Sequence, residues 1–440
     1  MIRASALTAI AIVASAVPAT AQLLQDEPTV VIPPEPPLTP ARSVFARDRE
    51  VAVADRMLPA FSAKGMTVGA FDVFPGLAVG GLYTSNIFAN NADKHADAGL
   101  MIRPELTVRT SSGPYRVTAY ARGDVRRFTD KVSENTEEVL GGLQGNVAVG
   151  ALSALSAGVS YGSLINPRFA PDSPVDAAKP LEYNALNAFA SGSFEGSNTR
   201  VILRADVADI RFRDTPSRSG GTIFTRDRNR TRVQGLLRVE RALSPSVSLY
   251  GAGTVNTIDY RYPTTIGQSV VTRDSRGYGL YVGSSFELTS ILRGDVRAGY
   301  IRQIFDLDGL RPIAGFGTLG SLVYFPNRLW TFTARVESSV QDSGVPGTGG
   351  VLHRGGSLRA DNELRRYIVL SLEGGYFRDT YRGLPRRDKL PFASAGLTYL
   401  SRNHWNARLG YRYLSRDCSC TGGVTDFDDH RVTATLTFQN

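Results

Sequence analysis

The sequence predicts an all-β protein: a transmembrane, antiparallel outer-membrane β-barrel of about 18 strands. Three observations carry that prediction. The chain begins with a short apolar leader, continues in long segments that alternate apolar with polar residues, and joins those segments by connections that are short and long in turn.

The leader is residues 1–21. Arg3 supplies a positive start, Ala4 to Val17 is a small-apolar tract relieved only by Ser5, Thr8 and Ser15, and Ala19-Thr20-Ala21 offers a small-x-small cleavage site before Gln22. A tract of about 14 residues is too short to cross a bilayer as a helix and reads as a removable signal peptide. No later stretch approaches the ~18 consecutive apolar residues of a transmembrane helix. The 42% hydrophobic content and mean hydropathy of −0.13 suit a soluble protein equally well. A barrel has the same average, because only every second residue of a strand meets lipid.

Residues 22–65 have a different character. Pro28, Pro33, Pro34, Pro36, Pro37 and Pro40 fall within a few turns of one another and predict an extended, stiff periplasmic arm. A short helix is expected around Arg49–Leu58. The arm serves either as a spacer or as a docking segment.

Residues 66–440 form the barrel. Between Ser290 and Ile304, Leu292, Gly294, Val296, Ala298 and Tyr300 fall on one side, against Arg293, Asp295, Arg297 and Gln303 on the other. Pro114 to Phe128 and Trp405 to Tyr413 repeat the pattern. Period 2 is the mark of strands with one apolar and one polar face. Strands of a soluble sheet average ~5–6 residues, whereas these reach the ~9–11 needed to cross a bilayer at a tilt. The apolar faces are rich in Gly and Ala, which make a poor sandwich core. Tyr300, Trp330, Phe332, Tyr376, Tyr399, Trp405 and Tyr411 suit the aromatic girdles of the membrane boundary.

The connections test this independently. Long loops are expected at 85–97, 129–136, 166–181, 214–228, 261–274, 305–311, 341–356, 379–388 and 417–428. Short turns are expected at 111–114, 151–153, 195–198, 242–245, 289–291, 325–328, 364–366 and 401–404. Short turns belong to the periplasm and long loops to the outside, which places both termini in the periplasm of a Gram-negative cell. The last strand, Arg431 to Phe438, ends on an aromatic residue suited to the barrel-assembly machinery, although Gln439 and Asn440 follow it.

About 18 strands spaced ~4.8 Å and tilted ~40° enclose a backbone circle roughly 35 Å across, too wide for side chains to fill. The residues expected to line it are Arg116, Arg122, Asp124, Arg126, Arg204, Asp206, Arg232, Arg238, Arg293, Asp295, Arg297, Arg335, Arg359, Asp361, Arg408 and Arg412. Two readings stay open: a salt-bridged, hydrated wall, or an arginine excess that selects anions. The Pro-rich loop from Asn166 to Leu181 either folds inward as a constriction or caps the barrel outside.

With 50 Lys+Arg against 41 Asp+Glu the chain is basic, but its arginines are spread singly, which argues against a nucleic-acid partner. Cys418 and Cys420 form one C-x-C, which lacks the second half of a zinc site. His95, His353, His404 and His430 are scattered, and no nucleophile, metal or phosphate-loop motif is present. No enzyme activity and no cofactor are expected.

The stretch Phe71 to Phe88, F-D-V-F-P-G-L-A-V-G-G-L-Y-T-S-N-I-F, resembles the opening of the "putative β-barrel porin 2" family through Phe71, Phe74, Pro75, Tyr83, Asn86, Ile87 and Phe88. Thr84 and Ser85 stand where that family often has acidic residues. The step Pro180-Leu181-Glu182-Tyr183 is a second similarity. The resemblance implies an outer-membrane pore, and its frequent setting among envelope-polysaccharide genes implies an exit conduit working with a periplasmic polysaccharide-export protein. A diffusion porin for small anionic solutes and a structural or adhesive barrel are the alternatives. Outer-membrane lipid, lipopolysaccharide and the assembly machinery are the other expected partners.

Overall fold

The computed structural model describes residues 43–47, 50–56, 60–266, 269–306, 312–345, 347–402, 404–419 and 426–440. The leader and the proline-rich half of the arm lie outside the described residues.

Eighteen long antiparallel strands close into one barrel. In chain order they are β1 (Phe71–Thr84), β2 (Asp97–Thr110), β3 (Tyr115–Phe128), β4 (Thr136–Val149), β5 (Ser153–Asn166) and β6 (Leu181–Glu195). There follow β7 (Thr199–Phe212), β8 (Arg230–Ser244), β9 (Val247–Tyr260), β10 (Ser275–Leu288), β11 (Leu292–Phe305) and β12 (Ile313–Asn327). The circuit ends with β13 (Trp330–Gln341), β14 (Gly350–Arg365), β15 (Ile368–Arg382), β16 (Arg387–Leu400), β17 (Trp405–Cys418) and β18 (Phe427–Gln439). Each strand pairs with its sequence neighbours, and β1 closes the ring on β18 from Gly76↔Gln439 to Thr84↔Arg431. Closure matters because an open edge would leave unpaired N–H and C=O groups in hydrocarbon, at several kcal/mol each.

Pro75 shows how local chemistry fits this plan. It lacks an N–H, and it sits just past the point where β18 runs out. Proline is tolerated there because no ladder donor is needed on that side.

The alternation sorts every strand into two faces. Leu280 and Val282 of β10 are 63% and 73% exposed on the outside, whereas Gly279, Tyr281 and Gly283 between them face inward. Large apolar side chains left bare on so many strands suit hydrocarbon, not water. The aromatic residues gather towards the strand ends. Trp330 stacks on Phe332, and Tyr399 packs on Trp405, at the short-turn end; Tyr278 pairs with Tyr300 towards the other.

The short turns fall where the sequence places them, within three residues, from 111–114 through 289–291 to 401–404. Three long loops are shorter than expected. The β13–β14 loop spans 342–349, the β15–β16 loop 383–386, and the β17–β18 loop 419–426. The ladders continue past the apolar band, as in Val351↔Tyr381, so hydrogen bonding outlasts the hydrophobic signal. His353 therefore lies in β14, buried against Asp379 at 2.5 Å, and not in a loop. Among the described residues of 49–58 the only helical turn is the 3-10 turn Val53–Asp55. Cys418 is disulfide-bonded; Cys420, its expected neighbour in the motif, lies outside the described residues.

Candidate functional site: the lumen and its two mouths

All sixteen charged residues expected on the inside share the inner face of the wall. They occupy alternate positions of their strands, on the side opposite the exposed Leu, Val and Tyr residues. Their carboxylates are engaged. Asp124 accepts from Arg103 and Arg126, both at 2.8 Å. Asp206 takes Arg204 at 2.6 Å, and Asp361 takes Arg359 at 2.9 Å. Arg238 bridges Glu240 and Asp295 at 3.1 and 3.0 Å, and the Tyr250 hydroxyl donates to Asp295 at 2.6 Å. In each i, i+2 case the pleat brings neighbours on one face together.

The arginines outnumber those acids. Arg122, Arg232, Arg297 and Arg335 form no ion pair among the described residues. Arg297 instead lies over the Tyr281 ring at 4.8 Å. Arg293 serves neither the salt-bridge network nor an open wall: its guanidinium donates to the carbonyls of Arg47 and Glu50.

Those two carbonyls belong to the arm, which is folded inside the short-turn mouth. Phe45 is buried beneath Arg200, 4.6 Å away, and Arg47 donates to the Pro245 carbonyl. Val53 N–H donates to Thr331 Oγ1 at 3.0 Å, and Arg56 pairs with Glu363 at 2.6 Å. Phe61 then lies under Arg402, with its carbonyl accepting from Gln439 Nε2. Ala63 and Phe74 close the path as a small buried cluster. Gly65, with φ +71°, permits the tight approach, since a Cβ there would lie 2.6 Å from the Phe74 ring. The described part of the arm thus follows the inner rim from β7 and the β8–β9 turn past β11, β13 and β14 to the β16–β17 turn, β18 and β1. A free spacer is not what these contacts describe, and the sequence offered no sign of an internal obstruction.

The other mouth is crossed by the β5–β6 loop, residues 167–180. Of the two orientations open to it, the structure has the inward one. Phe169 packs in a buried cluster with Ala89, Phe377, Leu390, Phe392, Leu414 and Phe427, which come from β15 to β18 and the loop after β1. Arg416 and Arg386 hold the Phe169 and Pro171 carbonyls, both at 3.2 Å. Arg228 Nη1 donates to the Asp172 carbonyl at 2.7 Å. Arg168 and Glu134 form a bidentate pair that is almost wholly buried.

Neighbouring loops brace the crossing. Ala178 N–H donates to the Pro216 carbonyl, and the Asp176 carboxylate accepts from Ser217 and from Ser219 at 2.7 Å. Those two hydroxyls hold Asp176 below the usual carboxylate range. At the same mouth, Asp342 of the β13–β14 loop accepts from Tyr260 and pairs with Arg230, while Arg273 reaches Ser343 and Asp227. None of Glu134, Arg168, Asp172, Arg386 or Arg416 stood out in the sequence. Their charges sit in or beside loops, where a charged residue is unremarkable.

Among curated protein sequences none matches this chain. Among solved structures, the outer membrane protein OpdK from Pseudomonas aeruginosa is 13% identical, covering 84% of this chain and 99% of that one, with a TM-score of 0.44. The siderophore receptor PirA from Acinetobacter baumannii is 8% identical, covering 83% and 80%, with a TM-score of 0.46. The copper transporter OprC is 10% identical, covering 86% and 82%, with a TM-score of 0.49. A family model matches residues 58–440, from the arm to the last residue, and the chain belongs to the family it describes, "Putative beta-barrel porin 2".

Proposed function

We propose that this chain is a constricted outer-membrane pore for small anionic solutes, exported by its leader and set with its long loops outside and both termini in the periplasm. The orientation follows the usual placement of short turns in barrels. One observation carries the selectivity: the inner-face carboxylates Asp124, Asp206, Asp295 and Asp361 each meet an arginine or tyrosine, while Arg122, Arg232, Arg297 and Arg335 form no ion pair among the described residues. Fixed cations in a narrow lumen raise the local concentration of anions and repel cations.

The crossing loop favours small solutes over a polymer. Water and small ions need only gaps between side chains. A polysaccharide chain would require loop 167–180 to unpack from Phe377, Phe392, Leu414 and Phe427. The export conduit implied by the family resemblance therefore needs a second, open arrangement and a partner to drive it.

Reversal potentials across a planar bilayer, measured with the refolded protein under a KCl gradient, test the proposal. The expected result is chloride preference that weakens stepwise in Arg232→Gln, Arg297→Gln and Arg335→Gln. Cation preference in the wild-type protein would overturn it.

A further inference from the structure

The outward-facing charges at the long-loop end are distributed unevenly around the barrel. From β3 to β9 they come in opposite-sign groups. Arg127 pairs with Glu137, Lys179 and Arg213 with Glu182 at 2.7 and 3.1 Å, and Arg211 and Arg261 with Asp209 at 2.7 and 2.5 Å. From β10 to β16 the outward positions near this end carry Arg276, Arg302, Arg354, Arg378, Arg387 and Lys389, and no outward strand position there is acidic. The neighbouring exposed acid above this sector, Asp306, sits in the loop after β11, and Lys389 is tied to Asp417 of β17 at 2.7 Å.

Two features make this sector more than a charge count. Arg354, Arg378 and Lys389 lie in one register row across three adjacent strands, with Arg354↔Arg378 and Arg378↔Lys389 directly opposite. Like charges in that relation are destabilising unless something neutralises them. Arg354 Nε donates to Ser338 Oγ, and Arg302 Nε is buried with no partner among the described residues. The second feature is height. Tyr278, Tyr300 and Tyr376 lie two residues membrane-ward of Arg276, Arg302 and Arg378, each exposed on the lipid side. Aromatic residues in that position mark the boundary of the apolar band. The cations stand one step above it, at the level of lipid headgroups.

We propose that the β10–β16 sector binds the phosphates of a phosphorylated glycolipid of the outer leaflet, with Arg354 and Arg378 as its centre. The assignment of this end to the outer leaflet rests on the orientation given under the proposed function; the cation row itself does not. Guanidinium groups suit the task because each can grip a phosphate through two hydrogen bonds and stays charged at all relevant pH.

The test is native mass spectrometry of the folded full chain in detergent micelles with diphosphoryl lipid A, fully dephosphorylated lipid A and inorganic phosphate as probes. Arg354→Gln/Arg378→Gln should lower diphosphoryl lipid retention about tenfold, and Arg127→Gln, from the balanced sector, should leave it unchanged. Arg354→Lys/Arg378→Lys should restore part of the loss. Equal retention by the glutamine variant and the wild type would overturn the site. Displacement of the lipid by millimolar inorganic phosphate would overturn the lipid assignment in favour of a small-anion site. If the double variant fails the heat-modifiability check for a folded barrel, Arg378→Gln alone must show a severalfold loss or the proposal falls. Separately, an epitope inserted at 219–221 and probed on intact cells reads the orientation. A buried epitope would overturn the orientation while leaving the micelle result to stand.

Discussion

The Arg168 guanidinium holds the Glu134 carboxylate through hydrogen bonds of 2.8 and 2.6 Å, in a pair only 6% and 2% exposed. It joins the loop that crosses the mouth to the long loop after β3. Removing one partner leaves the other charge buried and unpaired, which costs about 3–5 kcal/mol. Glu134→Gln is therefore expected to undock loop 167–180, raise single-channel conductance and let trypsin cut after Arg168. An unchanged conductance with an uncut loop would show that the pair does not hold the constriction.

Phe169 tests the same loop by a different force. Its ring sits among Phe377, Phe392, Leu414 and Phe427 across the mouth from β5. Phe169→Ala forfeits that burial, at about 3–5 kcal/mol. The loss falls on loop docking and spares the strand ladders. Conductance should rise while the thermal transition of the barrel, followed by circular dichroism, moves by no more than a few degrees. A large drop in the transition would mean that the loop supports the wall itself.

The arm makes contacts of unequal value. Thr331 is fully buried, and its hydroxyl is the acceptor for Val53 N–H. Thr331→Val leaves that N–H unpaired inside the mouth, a cost of about 1–3 kcal/mol. The Arg56–Glu363 pair is partly exposed at 28% and 11%, so solvent screening keeps Arg56→Gln nearer ~1 kcal/mol or below. Protease cleavage within 43–65 should thus quicken more in Thr331→Val than in Arg56→Gln. The reverse order would place the arm's main anchor on the rim charges.

The contrast between wall and mouths follows from what a local pattern can record. Period 2 places a strand and its inner face at once, which is why Arg293, Asp295 and Arg297 could be set on one side from the sequence alone. Strand number followed from counting hairpins, because each turn joins neighbours. Nothing local distinguishes Phe169 in a loop that points inward from the same residue in one that points away. Its partners lie more than two hundred residues further on, at Phe377 to Phe427. The arm misleads for a related reason: its prolines read as an extended spacer, while the residues that seat it, Phe45, Val53 and Phe61, find their partners on β7, β13 and the β16–β17 turn. The lumen's charges were legible as a face but not as pairs, since Arg238 with Asp295 joins strands three apart.

Asp176 makes the docking of the crossing loop depend on pH. Its carboxylate accepts from the Ser217 and Ser219 hydroxyls, and these bonds favour the ionised form, holding its pKa below that of an ordinary aspartate. A group depressed in the folded state contributes stability that is fully present above its unfolded pKa and is lost as pH falls through the folded one. The contact between loops 167–180 and 213–229 should therefore be constant from neutral pH down to about 5, and should loosen only below about 4. Asp176→Asn keeps one acceptor oxygen but no charge, so it should loosen the contact at neutral pH and abolish the acid-dependent step. Single-channel records between pH 7 and pH 3 check this. Openings that increase below pH 4 in the wild type and are already present at pH 7 in Asp176→Asn would bear it out, whereas the same acid response in both proteins would assign the step to another carboxylate at the mouth.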